Sequence, residues 1–398
     1  MLEVMGLLVA FIGIFILRAR NVDFYIAITM VAIIIGLTSG EPITILFDTL
    51  MITLSSFNTF NLVLAVALIT VLGYSLKETG LMVTFIEGLS KVLPGKILLA
   101  TVPALFGFLS MPGGALMSAP FIEPEANKLG LNAEGKTYYN VWFRHLLYWV
   151  NPITSSTIMA TSLSGFSINQ WLRVQSPLFI VMTVIGFIIS RGFIKKQKKS
   201  EGFKGLSLES MKGGVPILVT VILTIYGVPI WSSLLTGIFI AMLLGGVKLK
   251  RGLMMFKNGV QLQMVLTIIS MLYLRDIIGA TDSVNQLFQI IIDTGVPILA
   301  ILIFIPLFIG AISGSPAMGV GIAFPILLPL MGEVNIHLTS IVFLGIICTY
   351  ITSPLHLCTV LTNNYFKSDL NKVLRYLAPS SFALYLAGLV YHLFLYIF

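Results

Sequence analysis

Residues 150–157 read VNPITSST and residues 352–359 read TSPLHLCT, and each stretch interrupts a long apolar run of the chain. The two share a layout that pairs Asn151 with Ser353 and Pro152 with Pro354. Because a proline removes one backbone donor and clashes one turn back, each helix is predicted to open at this point. Freed backbone groups persist at membrane depth only where they line a cavity or bind something. We therefore predict that the two breaks are the halves of one binding site.

Composition places the chain among polytopic membrane proteins. It has 398 residues, of which 57% are hydrophobic and only 10% charged, with a mean hydropathy of +1.00. These values exclude a soluble globular domain and imply a surface in contact with membrane lipid. The net charge of +8 comes from basic residues in short loops between apolar segments, so membrane orientation explains it and no nucleic-acid partner is expected. The two cysteines share one predicted helix and cannot pair, and no Cys/His motif in the sequence indicates a metal.

Apolar segments of spanning length predict ten transmembrane helices, the first of which is expected to be retained because it lacks a signal-peptide pattern. They lie at about 2–17, 22–39, 57–76, 139–163, 174–194, 213–226, 229–246, 259–278, 338–362 and 373–397.

Two further apolar stretches, about 97–122 and 296–331, are interrupted at their middles by small residues and proline. The interruptions are SMPGG at 110–114 and SGSP at 313–316. Since each arm is short for a crossing, we predict two re-entrant hairpins that enter and leave on the same side. A single kinked spanning helix at each place is the alternative.

Basic residues predict the orientation. With the loop 195–212 in the cytoplasm and the spans threaded outward from it, every Lys and Arg except Arg173 and Arg275 falls inside. This arrangement predicts a multi-pass protein of the cell membrane with both termini outside. Counting the hairpins as full spans would move Arg18 and Arg20 to the wrong side.

The same threading predicts two repeats of opposite orientation, residues 1–194 and 213–398, joined by the basic linker 195–212. Each holds five transmembrane helices, one re-entrant hairpin and one broken helix, and an odd number of crossings inverts the second repeat. Inverted repeats are typical of secondary transporters. Residues 80–94 and 123–138, beside the first hairpin, are predicted to be interfacial helices or ordinary loops.

Two hairpins, each followed by a helix broken at proline and small polar residues, resemble the Ion Transporter superfamily over nearly the whole chain. This superfamily includes divalent-anion/sodium symporters, gluconate permeases and the large permease subunits of TRAP transporters, and the pattern is most similar to an uncharacterised prokaryotic integral-membrane family within it. The resemblance implies that hairpin tips and broken helices hold sodium ions and a carboxylate. It also implies a homodimer with an elevator motion. The sodium/dicarboxylate members carry a Ser-Asn-Thr triplet at each site, whereas this chain reads NPIT at 151–154 and SPLH at 353–356.

The predicted site follows from the physics of broken helices. Amino ends of half-helices carry unpaired N–H groups and a positive partial charge, which would bind an anion without any arginine. The predicted substrate-binding residues are Ser110, Pro112, Gly113, Gly114, Asn151, Thr154, Ser155, Ser313, Gly314, Ser315, Ser353 and His356. Neutral oxygens near the breaks suit a monovalent cation. The predicted sodium ligands are Ser110, Asn151, Ser156, Thr157, Ser315, Thr352, Cys358 and Thr359.

The sequence leaves more than one role open for each of two residues. His356 either donates a hydrogen bond to the anion, becomes protonated as the anion arrives, or packs against a freed carbonyl. Arg144 at the start of the fourth span is expected to snorkel to the cytoplasmic surface, with substrate steering as the second interpretation.

These observations predict a secondary active transporter that moves a small, carboxylate-like organic anion by alternating access of the elevator type. Sodium is the expected coupling ion, and no other cofactor is expected. A proton-coupled anion symporter that uses His356 is the alternative, and an ion channel is a further one. An intramembrane enzyme is disfavoured because the sequence has no HExxH or GxSxG motif and no intramembrane aspartate pair.

Overall fold

A computed structural model describes residues 22–108, 114–194, 208–281, 293–353 and 355–398, together with residues 6, 9, 12–14, 16, 17, 20, 286 and 289. Within these residues the chain is helical, without strands. We number the α-helices of the described part in chain order. They are α1 Phe24–Thr38, α2 Thr44–Ser55, α3 Phe57–Glu78, α4 Leu81–Ser90, α5 Gly95–Phe108, α6 Gly114–Lys128, α7 Ala133–Arg144, α8 Ser155–Ser164, α9 Ile168–Ser190, α10 Leu208–Met211, α11 Val215–Ile225, α12 Ile230–Leu244, α13 Leu249–Gly259, α14 Leu262–Ala280, α15 Ile298–Ser313, α16 Pro316–Leu327, α17 Ile336–Thr352, α18 Leu357–Phe366 and α19 Leu370–Ile397.

The all-α, polytopic membrane architecture predicted from composition is confirmed. Five segments of the described chain are long and apolar enough to cross a membrane, and several shorter apolar helices accompany them. The five segments are Phe57–Glu78, Ile168–Phe193, Leu262–Ala280, Ile336–Phe366 and Leu370–Ile397. Most of the predicted first span, 2–17, lies outside the described residues.

The broken helix predicted at 139–163 begins earlier, at Ala133, and its break starts before residue 150. Asn132 accepts a hydrogen bond from the Gly135 N–H at 2.9 Å and so caps α7, which starts at Ala133. A short 3₁₀ helix, Leu146–Trp149, and a non-helical stretch then separate α7 from α8. Most of the predicted interfacial segment 123–138 is therefore the end of α6 and the start of α7, and α7 is almost wholly buried.

Each of the two predicted hairpin stretches consists of two consecutive helices, and every one of these helices contains a proline. α5 and α6 pack against each other, and so do α15 and α16. The tip of the first pair, residues 109–113, is outside the described residues. Three of the numbered helices had no predicted counterpart: the one-turn helix α10 in the predicted linker, and α2 and α13, which pack against α14 and α3 respectively.

Helices from the first and second halves of the chain pack across each other. α1 packs against α14, and α12 packs against α3. Near the breaks, α8 packs against α16 while α18 packs against α6. The second arm of each hairpin therefore lies beside the half-helix that follows the break in the other half of the chain.

The outer surface is apolar on helices that border the membrane. On α9, Ile180, Val184 and Ile188 recur every fourth residue and are exposed, whereas Leu178 and Met182 on another face are buried. A spacing of four residues puts the exposed side chains on one stripe of the helix. In a chain of this hydropathy, that stripe is suited to contact with lipid.

Candidate functional site

A cavity of about 800 Å³ lies where the breaks and the second hairpin meet. It is bounded by the start of α1, the starts of α8, α14 and α18, the tip between α15 and α16, and the end of α17. Its polar lining comprises Asp23, Tyr25, Arg144, Tyr148, Thr154, Ser155, Ser156, Gln261, Gln263, Thr267, Ser315, Tyr350 and Cys358. Both halves of the chain therefore contribute to one polar cavity.

Five helices of the described chain begin at the wall of this cavity, and three of them, α8, α16 and α18, belong to the breaks and the second hairpin. Ser155 and Ser156 open α8, Pro316 to Met318 open α16, and Leu357 and Cys358 open α18. The first N–H groups of a helix have no partner within it and carry a positive partial charge. The three starts together favour a negatively charged ligand.

Arg144, the last residue of α7, is buried and lines the cavity. Among the described residues, its Nη1 has no hydrogen-bond partner and no carboxylate forms an ion pair with it. Asp23, also in the lining, instead accepts a hydrogen bond from Gln263 Nε2 at 3.2 Å. The expectation that Arg144 snorkels to the surface is therefore wrong, because α7 starts at residue 133 and carries Arg144 inward to the cavity wall.

The first break is held by its own side chains. Asn151 is fully buried, donates from Nδ2 to the Phe108 carbonyl at 3.0 Å and accepts from the Ile153 N–H at 3.0 Å. Thr154 caps α8, accepting from the Thr157 N–H at 3.2 Å and donating to the Thr157 hydroxyl at 2.8 Å. Asn151 thus ties the break to the end of α5, and Thr154 shapes the start of α8.

The second break repeats these contacts. Ser353 donates to the Ala311 carbonyl in α15 and accepts from the Leu355 N–H at 3.1 Å. His356 is the N-cap residue of α18, and its Nδ1 lies 2.9 Å from the Thr359 hydroxyl. Ser353 and His356 thus occupy the positions that Asn151 and Thr154 hold in the first break.

The hairpin tip at residues 313–315 closes with a left-handed glycine. Gly314 has a φ of +65°, a conformation that costs a residue with a side chain, and it ends α15. The Ser313 hydroxyl donates to the Gly310 and Ser315 carbonyls at 3.3 and 3.1 Å. The Ser315 side chain makes no capping hydrogen bond to α16. Ser315 is therefore the hydroxyl of this tip that faces the cavity.

The structure separates the predicted site residues into two groups. Those that line the cavity are Thr154, Ser155, Ser156, Gly314, Ser315 and Cys358. Those whose side chains make the internal contacts behind it are Asn151, Thr157, Ser313, Thr352, Ser353, His356 and Thr359. Gly114 begins α6, whereas Ser110, Pro112 and Gly113, with Pro354 of the second break, lie outside the described residues.

A cluster of aromatic and sulfur side chains lies between the two breaks. The imidazole rings of His145 and His356 are 4.7 Å apart, centroid to centroid, and Tyr350 lies 4.2 Å from His356. A ring nitrogen of each histidine and the Cys358 sulfur lie within 4.8 Å of one another. The sequence indicated no Cys/His cluster because its members come from separate breaks.

The residues predicted for the site do not include Tyr148, Tyr350 or His145, and they do not include Arg144, for which substrate steering was only the second interpretation. The residues before α7 contain the features that mark its start, and this start determines how deep Arg144 lies. Gly130 has a φ of +70° and closes α6, and Asn132 is a favoured N-cap residue with an acidic Glu134 in the first turn. A helix that starts at 133 places Arg144 three turns into the protein.

A comparison with solved structures finds the same fold in a crystal structure of the Alcanivorax borkumensis YdaH transporter. The TM-score is 0.64 at 13% sequence identity, over 94% of this chain and 98% of that chain. A comparison with curated proteins finds no match. The likeness to the YdaH transporter shows the fold alone.

The family comparison covers almost the whole sequence. Residues 2–394 match the family model described as "Protein of unknown function (DUF401)". Both halves of the cavity, and both breaks, lie inside this match. The chain belongs to the DUF401 family.

Proposed function

We propose that the protein is a secondary transporter that carries a small anion across the membrane and binds it in the cavity between the breaks. The observation that carries this proposal is Arg144, a buried guanidinium with an unpartnered Nη1 in the wall where α8, α16 and α18 begin. An unpaired charge inside a membrane protein is costly and marks a functional site by default. A carboxylate would satisfy it with paired hydrogen bonds.

The cavity and the fold support a carrier of small organic anions. A volume of about 800 Å³ is within the usual range of ligand sites and accommodates a carboxylate with a short carbon skeleton. The fold shared with the YdaH transporter is compatible with this role. Helix starts lining the cavity are the type of anion site found in transporters with discontinuous helices.

Alternating access by two inverted repeats is part of the proposal. The reciprocal packing of α1 on α14 and α12 on α3 supports equivalent roles for the two halves. The packing of α8 on α16 and of α18 on α6, each between the two halves, supports the same conclusion. We propose that the hairpins and broken helices move together as the transporting unit of an elevator, within a homodimer.

Sodium is the proposed coupling ion. The cavity wall offers neutral hydroxyl oxygens at Thr154, Ser156 and Ser315, and hard neutral oxygens suit a monovalent cation. Coupling to protons through His356 is the competing proposal, supported by its burial beside a second histidine. Uptake into proteoliposomes under a sodium gradient at equal pH, and under a pH gradient without sodium, separates the two.

The decisive experiment measures anion binding by purified protein. A panel of mono-, di- and tricarboxylates and inorganic anions is screened by thermal shift, and the best ligand is titrated by calorimetry. Arg144→Gln should weaken binding by about 1.5–3 kcal/mol, since a hydrogen-bonded charge is lost. Arg173→Gln, which changes an exposed arginine on α9, is the matched control and should bind normally.

Two outcomes would contradict the proposal. Unchanged affinity in Arg144→Gln would remove this residue from the site. Ohmic single-channel current in place of saturable counterflow from loaded liposomes would indicate a channel.

A further inference from the structure

His145, His356 and Cys358 form a compact set of metal-ligating side chains that the anion site does not use as a set. His145 follows α7, while His356 and Cys358 belong to the start of α18. One ligand atom from each residue lies within 4.8 Å of the others. Only Cys358 lines the cavity, and the two histidines are fully buried behind it.

The histidines are oriented as metal ligands are. His145 Nδ1 lies 2.7 Å from the Val141 carbonyl, so this nitrogen carries the proton and donates it. His356 Nδ1 is engaged by the Ile351 carbonyl at 3.2 Å and by the Thr359 hydroxyl. A ligating histidine usually fixes its ring through one nitrogen in this way and offers the other to the metal.

The remaining nitrogens lack a strong hydrogen-bond partner. Nε2 of His145 and Nε2 of His356 are buried, and neither makes a hydrogen bond to a described oxygen or nitrogen, which leaves them only a weak interaction with the Cys358 thiol. Leaving a buried polar atom unsatisfied costs about 1–3 kcal/mol, so two such atoms beside a thiol require an explanation. A metal ion bound by both nitrogens and the sulfur would supply one.

The charges around the cluster select the type of ion. A divalent ion on one thiolate would leave a net positive charge next to Arg144, which forms no ion pair with any carboxylate of the described residues. A monovalent ion on one thiolate is neutral, and burial favours the neutral arrangement. Thiolate and imidazole ligands suit soft ions such as Cu(I).

We propose that His145, His356 and Cys358 form a binding site for one soft monovalent metal ion of the Cu(I) class, reached from the cavity through Cys358. At bond lengths of about 2.1 Å to nitrogen and 2.3 Å to sulfur, three ligand atoms around one ion lie roughly 3.6–3.8 Å apart. The three side chains therefore need to approach one another by about 1 Å. This site rests on the cluster alone and does not depend on the transported anion.

The test uses the full-length protein in detergent and Ag(I), a redox-inert probe for a Cu(I) site, in chloride-free nitrate buffer. Calorimetry should show one Ag(I) per chain. Cys358→Ser should lower the affinity by at least about 100-fold, and His145→Gln and His356→Gln by at least about tenfold each. Cys348→Ser, which changes the buried cysteine of α17, is the matched control and should bind as the wild type does.

Several results would overturn the site. If both histidine variants bind Ag(I) as tightly as the wild type, the metal is held by an isolated thiol. Binding that is lost in Cys348→Ser, or Zn(II) that binds at least as tightly as Ag(I), also contradicts it. X-ray absorption of the wild-type complex tests the ligands even where a variant fails to fold, because it needs no substitution. Metal coordination without nitrogen or without sulfur would exclude the proposed ligands. Failure of anion binding in the same preparations would concern the proposed function only.

Discussion

The break after α7 and the break after α17 are held in place by equivalent contacts. Asn151 and Ser353 each donate to a carbonyl at the end of the preceding hairpin arm and accept from the N–H two residues ahead. The residue that precedes the next half-helix, Thr154 or His356, then contacts a threonine hydroxyl three residues on. Different side chains therefore perform the same structural task in the two halves.

The breaks differ in length and in the chemistry they present. The first runs from residue 145 to 154, contains a 3₁₀ helix and follows a buried arginine. The second spans only 353–356 and is followed by Cys358. The same contacts hold the chain open at both breaks. The guanidinium of the cavity wall belongs to the first half, whereas the thiol and one of the two imidazoles belong to the second.

The largest expected effect concerns orientation. If the halves are inverted, single cysteines replacing the exposed Arg191 and Glu333 in a cysteine-free background should be labelled from opposite sides of the membrane. An impermeant maleimide applied to intact cells should react with the cysteine at 333 and reach the one at 191 only after lysis. Equal labelling of the two in intact cells would break the comparison, because the halves would then share one orientation.

Two glycines, Gly107 and Gly310, allow close helix packing before the breaks, and their replacement should have the next largest effect, on stability. A Cβ on Gly107 would lie 1.8 Å from the Arg144 carbonyl oxygen, and one on Gly310 would lie 2.4 Å from the Ile346 carbonyl oxygen. Gly107→Ala should lower the free energy of unfolding by about 3 kcal/mol, at the upper end for overpacking, and Gly310→Ala by somewhat less. Unfolding in detergent measures both. Gly279→Ala, where a Cβ meets nothing within 4 Å, should leave stability nearly unchanged.

The paired polar anchors predict an intermediate effect. Asn151→Ala leaves the Phe108 carbonyl and the Ile153 N–H without their partner, which should cost about 2 kcal/mol. Ser353→Ala should cost about 1–2 kcal/mol for the same reason. The exposed Asn169, changed to alanine, serves as control in the same unfolding assay. Loss of stability at Asn151 with none at Ser353 would show that the two breaks are not held alike.

The threonine contacts predict the smallest effect. Thr157→Val removes the acceptor of the Thr154 hydroxyl, whereas Thr359→Val leaves His356 Nδ1 with the Ile351 carbonyl. We expect about 1 kcal/mol of destabilisation for Thr157→Val and less for Thr359→Val. Transport assays at varied sodium add a second measurement. A rise in the sodium needed for half-maximal uptake, in either variant and without a matching loss of stability, would identify that threonine as an ion ligand.

Much of this frame was predictable from local chemistry. Proline flanked by small polar residues within apolar runs marked both breaks and both hairpins, because such residues disrupt helices at known offsets. The shared layout of 150–157 and 352–359 paired Asn151 with Ser353 before any contact was seen. These predictions depended only on residues close together in the chain.

The functional chemistry was less accessible because it depends on long-range placement. The depth of Arg144 follows from where α7 begins, and the boundary predicted from the sequence, residue 139, lies six residues after the observed one, residue 133. His145 and His356 belong to different breaks, and nothing in their local sequence shows that their rings meet. Helix boundaries and tertiary contacts are the features that sequence periodicity defines least well.

The helix starts of α8, α16 and α18 at the cavity wall affect how binding of the proposed anion would depend on pH. Peptide N–H groups neither gain nor lose protons under physiological conditions, and a guanidinium stays charged throughout that range. A binding site built from these donors keeps its attraction for negative charge in acidic and alkaline surroundings alike. These donors would therefore add no acidity dependence of their own to binding of the proposed anion, and any such dependence would come from the anion or from the other groups of the lining.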